Sequence, residues 1–134
     1  MSSCIEWKNK FSVGVKRIDD EHKVLVGLIN KAFDSSELMD ATEATFSLLR
    51  DMNDYAEMHF ATEDTLMREY NYPTMDLHLK EHDLFRRRVS EALARGKNGA
   101  DPYKVFQFLR DWFYNHTMKD DMALGEYLQS KRLS

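Results

Sequence analysis

Four stretches of this chain carry apolar residues at helical spacing, and each stripe is interrupted by a histidine where another hydrophobe is expected. Leu25, Leu28, Ile29 and Phe33 share a face with His22. The second stripe runs Phe46, Leu49, Met52, Ala56, His59, Glu63, Leu66, Tyr70. The third runs Met75, His78, His82, Phe85, Val89, Ala92, and the fourth Phe106, Leu109, Trp112, Phe113, His116. Side chains four apart lie on one face of a helix, so His59 with Glu63 and His78 with His82 each aim at a common target. His116 is followed by an acidic pair, Asp120 and Asp121. Helices that place ionisable groups on their core faces must meet partners that compensate them.

Punctuation between the stripes predicts an all-α protein, an antiparallel up-down four-helix bundle with an extended N-terminal arm and a short C-terminal helix. Residues 1–18 read as the arm, in which Phe11, Val13 and Val15 alternate with polar residues around Gly14 and Trp7 anchors it to the body. Asp19 caps a helix over about 19–35, and a second spans about 41–70 until Asn71-Tyr72-Pro73 ends it. The third covers about 74–95 with Gly96 as its stop, and residues 97–100 turn the chain. Asp101-Pro102 opens the fourth, about 102–118, and a tail helix follows at about 121–130. Residues 1–134 form one domain.

The rise of about 1.5 Å per residue then tests whether the histidines meet. Counted along each helix from its turn, all four helices bring their candidates to one level, within about one helical turn. Any one of these histidines alone reads as a core residue with a satisfied hydrogen bond. Five imidazoles and two carboxylates at one level cost several kcal/mol to bury without a cation. Seven ligands exceed what one ion of four to six coordination takes, so two ions sharing bridging carboxylates fit better. Nitrogen and oxygen donors suit iron, with manganese, cobalt or zinc admissible by ligand type.

The remaining composition narrows the partners. A formal charge of −4 gives no electrostatic reason to expect nucleic acid, and Arg86, Arg87 and Arg88 spread around a helix rather than forming a patch. No apolar run reaches membrane-span length, and the N-terminus lacks a signal-like stretch. The single cysteine, Cys4, has no role here and fits a reduced, cytoplasmic setting.

Ile18-Asp19-Asp20-Glu21-His22-Lys23, His59-x3-Glu63, His78-x3-His82 and Trp112-Phe113-Tyr114-Asn115-His116 followed by Asp121 together resemble the hemerythrin family, most closely its single-domain bacterial members. The resemblance covers nearly the whole chain. It implies a non-haem centre of two iron ions with a bridging oxo or hydroxo group. By position, His78, His82 and His116 would hold one coordinatively saturated iron. His22 and His59 would hold the other, which keeps an open position, and Glu63 and Asp121 would bridge both. O2 would bind at the open iron and leave as O2, with the buried net charge unchanged by uptake. Helical spacing alone favours Asp120 as the last ligand, whereas the family pattern selects Asp121 and requires the helix to loosen or end just after His116. Phe113 stands where the family tends to carry an aliphatic residue, so its ring either narrows the O2 pocket beside Trp112 or turns away into core packing.

The resemblance implies a binding protein rather than an enzyme, serving O2 carriage, storage or delivery, with O2/redox/iron sensing or peroxide and oxygen scavenging as alternatives and a protein partner for delivery unspecified. His78-Leu-Lys-Glu-His82 also fits a zinc-peptidase H-x-x-E-H pattern, which leaves three histidines without a role. The Glu-x-x-His pairs of ferritin-like oxidases are absent.

Overall fold

The computed structural model describes residues 5–36, 41–95 and 101–133. Gly96, the turn at 97–100 and Cys4 lie outside them. Among the described residues the regular structure is all helical: α1 (Lys16–Ser36), α2 (Ala41–Glu69), α3 (Met75–Ala94), α4 (Pro102–Trp112), a π-helical segment (Phe113–Asp121) and α5 (Met122–Ser130). The helices run up and down as a bundle. α1 packs on α2 and α4, and α2 on α3; α3 and α4 approach each other less closely.

The N-terminal arm differs from expectation in two respects. Asn9–Phe11 form a short 3-10 turn rather than extended chain. α1 also begins at Lys16, three residues before the expected cap. Asp19 instead reaches back from the first turn: its Oδ1 accepts the Val13 N–H at 2.8 Å and its Oδ2 the Ser12 hydroxyl at 2.5 Å. The backbone between them passes through Gly14 at φ +82°, the left-handed region, and a Cβ there would collide with the Gln129 side chain. Gln129 Nε2 donates to the Val13 carbonyl at 2.8 Å, so α5 holds the arm down.

Later boundaries follow their local chemistry. Asn71 sits at φ +53°, and the Tyr72 N–H bonds the Met67 carbonyl at 2.9 Å, a left-handed stop that closes α2. Asp101 caps α4, its carboxylate accepting the Tyr103 and Lys104 N–H groups at 3.0 and 3.2 Å, a cap worth about 1 kcal/mol. The expected separate tail helix is not separate. The chain continues from α4 through the π segment into α5 without a break.

The core is divided. One apolar cluster gathers Ile29, Leu49, Met52, Phe60, Phe85, Phe106, Leu109 and Phe113 with the arm's Ile5 and Phe11. The other gathers Val13, Val15, Ile18, Met67, Leu124 and Leu128. Burying each large side chain contributes about 1.5–3 kcal/mol. Along every helix the polar residues fall between the two: His22 follows Ile18 and precedes Val26, and Glu63 stands between Phe60 and Met67. The bundle is thus two oil-filled halves with a charged layer clamped between them.

Candidate metal centre

Seven buried side chains compose that layer. His22, Glu63, His82 and Asp121 are wholly enclosed, and His59, His78 and His116 nearly so. They fall into two groups, within each of which one ligand atom per residue lies within 4.8 Å of all the others. The first holds Glu63, His78, His82, His116 and Asp121; the second holds His22, His59, Glu63 and Asp121. The two carboxylates are common to both.

The oxygens divide accordingly. Glu63 Oε1 faces His78 Nε2 at 2.9 Å and His82 Nε2 at 3.0 Å, while Oε2 faces His59 Nε2 at 3.1 Å. Asp121 Oδ1 lies 3.1 Å from His78 and 3.2 Å from His116, and Oδ2 lies 2.9 Å from His22. Each carboxylate therefore turns one oxygen to the three-histidine group and one to the two-histidine group.

Asp121 reaches this layer because the backbone widens. From Phe113 to Asp121 the helix adopts the π form, whose hydrogen bonds span five residues, so a side chain five after His116 returns to its face. The helix loosens, as the family pattern requires, but it does not end. Asp120, the choice of regular helical spacing, contacts the other ring nitrogen of His116, Nδ1, at 3.1 Å.

Asp120 has counterparts that the sequence reading did not assign. Glu21 Oε1 meets His59 Nδ1 at 2.7 Å, and its Oε2 accepts the Thr62 hydroxyl at 2.9 Å. Asp64 stands 3.6 Å from His82 Nδ1. Carboxylates behind ligand imidazoles fix the ring tautomer and raise its basicity. Each outer acid adjoins an inner ligand in sequence, in the pairs Glu21-His22, Glu63-Asp64 and Asp120-Asp121, and that adjacency is the signal that would have found them. Two rings are also held by stacking, Phe60 on His82 at 3.9 Å and Trp112 on His116 at 4.4 Å.

The electrostatics call for a cation. Burial opposes the charged form of His59 most strongly, yet Glu63 and Glu21 overcome it and raise its pKa to about 10. His116 is likewise raised to about 10 against burial, by Asp121 and Asp120, and His78 to about 9 by Asp121 and Glu63. At His82 burial prevails and the ring stays neutral to lower pH than usual. Burial also opposes ionisation of Glu63, but the surrounding imidazoles hold its pKa well below the ordinary carboxylate value, and Asp121 is lowered in the same way.

Protons on the imidazoles do not satisfy the layer. Glu63 Oε2, both oxygens of Asp121 and His116 Nε2 lack aligned hydrogen-bond partners. The Nε2 atoms of His22 and His59 face each other at 3.1 Å. Unpaired buried groups of this kind cost about 1–3 kcal/mol each, more when charged. Metal cations held by these donors would satisfy these atoms, and hard oxygen with borderline imidazole donors fits iron.

Beside the layer is a small apolar cavity of about 20 Å³, room for one water-sized or diatomic molecule. Leu25 and Ala56, one turn from His22 and His59, line it together with Trp112 and Phe113. Phe113 therefore narrows this space rather than turning away, and its ring meets Phe11 edge-on at 5.4 Å.

Known proteins resemble this chain in sequence and fold. The family model described as the hemerythrin HHE cation binding domain matches residues 13–128. A bacteriohemerythrin of Pseudomonas aeruginosa is 34% identical over 116 residues, covering 86% of this chain and 75% of its own. A hemerythrin-like protein of Naegleria gruberi is 31% identical, covering 90% of each chain. The crystal structure of wild-type hemerythrin superposes with a TM-score of 0.85 at 27% identity, over 94% of this chain and 98% of that one. With a family match of that span, and relatives this similar, the protein belongs to the hemerythrin family.

Proposed function

We propose that this domain binds O2 reversibly at a pair of non-haem iron ions, for oxygen carriage, storage or delivery. The supporting observation is the unequal division of ligands around shared carboxylates: five side chains on one side and four on the other. With a solvent-derived bridge, the first set would supply six donors to its metal and the second five, which would leave one position open for ligand. Iron in such a centre supplies the two electrons that O2 needs to be held and takes them back on release.

The chain's own residues do the rest. His78, His82 and His116 close off one metal position. His22 and His59 would hold the other, and Leu25 and Ala56, one turn from them on the same helices, line the apolar cavity. Glu21 accepts from His59 Nδ1 and fixes which ring nitrogen faces the metal. Phe113, Phe60 and Met52 line the cavity and exclude water and protons, which favours release of ligand intact over its loss as a reduced product.

Anaerobic loading with ferrous iron followed by exposure to air is the test. Two irons per chain and a visible charge-transfer band that disappears on argon purging are expected. Zinc as the only bound metal, or oxidation with no reversible oxygenated spectrum, overturns the proposal. A band that forms reversibly but decays within a few cycles points to sensing or scavenging by the same centre.

A further inference from the structure

The apolar cavity is enclosed almost everywhere by fully buried side chains. Ile29, Phe60, Phe85, Leu109 and Phe113 are each at most 3% exposed. Of its lining residues only Leu25 and Trp112 are half-buried. Outside Trp112 is a groove of about 400 Å³ between α3 and α4, which approach each other less closely than α1 and α4 do. Glu81, Leu84, Arg88, Phe108 and Asn115 form its walls with Trp112. Trp112 lines both spaces, and no other residue does. The indole thus stands between the groove and the cavity.

Its contacts suit a part that moves as a unit. The ring stacks on His116 at 4.4 Å and 17°, and leans on Phe85 at 5.0 Å and 52°. No side-chain hydrogen bond is formed to it among the described residues. The groove offers room on the solvent side for the displaced ring. Trp112 is also the last residue of α4, where the regular helix gives way to the π segment.

We infer that Trp112 is the gate through which a small neutral ligand passes between solvent and the apolar cavity lined by Leu25 and Ala56. This rests on the O2-binding reading for the identity of the ligand, O2, but not for the motion. A gate raises or lowers association and dissociation rates together and leaves their ratio alone. A residue that merely lines a binding pocket shifts affinity through one of them. Swings of an enclosed aromatic ring belong to the microsecond–millisecond range.

Two measurements test it. In the diamagnetic zinc-loaded protein, the Trp112 indole N–H is followed by relaxation-dispersion NMR, with Trp7, the chain's other tryptophan, as reference. Exchange at Trp112 and none at Trp7 is expected. Leu84→Trp, at a position 40% exposed on the groove wall, fills the space into which the ring swings and should suppress that exchange. In the iron-loaded protein, stopped-flow O2 kinetics should show Trp112→Leu speeding association and dissociation by an order of magnitude each, and Leu84→Trp slowing both. A static indole overturns the gate. So do rates indifferent to both variants, or a change in affinity carried by one rate alone. Indole exchange that Leu84→Trp suppresses in a protein that never binds O2 would instead sink the O2 reading and leave the gate standing.

Discussion

The choice between two adjacent aspartates turns on which ring nitrogen each one meets. Asp121 lies among the Nε2 atoms at the centre of the layer, and Asp120 meets His116 from behind through Nδ1. Asp121→Ala removes a carboxylate shared by both ligand groups and should leave the chain unable to retain two irons. Asp120→Ala should retain both, with affinity lower by about 10–100-fold, the usual effect of losing an outer carboxylate. Iron content after gel filtration, followed by chelator competition, separates the outcomes; two irons kept by Asp121→Ala would refute the assignment. Six of the inner positions were legible because each stands on an apolar stripe in place of a hydrophobe; Asp121, which regular spacing passes over for Asp120, was legible only through the family pattern. The outer roles of Glu21 and Asp64 were not, because an acid one step off the stripe looks the same whether it faces water or the back of an imidazole; Asp120 was picked out by spacing, but for an inner position rather than the outer one it holds.

Element boundaries were legible where a residue's own conformational preference sets them. Asn71 and Asp101 act within a few residues of where they stand, so reading their type was enough. Asp19 misled because the capping chemistry was right and the direction was not: its carboxylate serves backbone six residues upstream. The π segment is harder still, since nothing in Phe113–Asp121 breaks helical propensity and only the placement of Asp121 demanded a wider turn. A π turn absorbs roughly one residue more than an α turn. Deleting the exposed Lys119 should therefore restore an α register in which the final aspartate stands four after His116, still on its face, and iron should be kept. Inserting one alanine after Lys119 should carry that aspartate about a further 80–100° around the axis and cost the second iron. Equal loss in both variants would mean that the segment's length is not what aims Asp121.

At the scale of the whole molecule, a charged layer between two apolar clusters makes metal, protons and folding compete for the same atoms. Without metal, a histidine whose folded pKa lies above its ordinary 6.5 adds stability that is full below pH 6.5 and is lost as pH rises through the folded value. His59 and His116, raised to about 10, and His78, raised to about 9, place that loss between about pH 6.5 and 10. Glu63 and Asp121 are shifted down from 4.5 and 3.8, so their contribution is present above those values and fades as pH falls through the folded ones. The metal-free bundle should accordingly be most stable between about pH 4.5 and 6.5 and weaken steadily in alkali. Metal reverses the trend, because it must displace the protons on His59, His78 and His116, and that becomes easier as pH rises. The gap in Tm between loaded and chelated protein should therefore widen from pH 6.5 to 9. Paired thermal melts at half-unit steps measure it directly. A gap that stays flat over that range would mean that these imidazoles are not where metal and protons compete, and that the layer is held together in some other way.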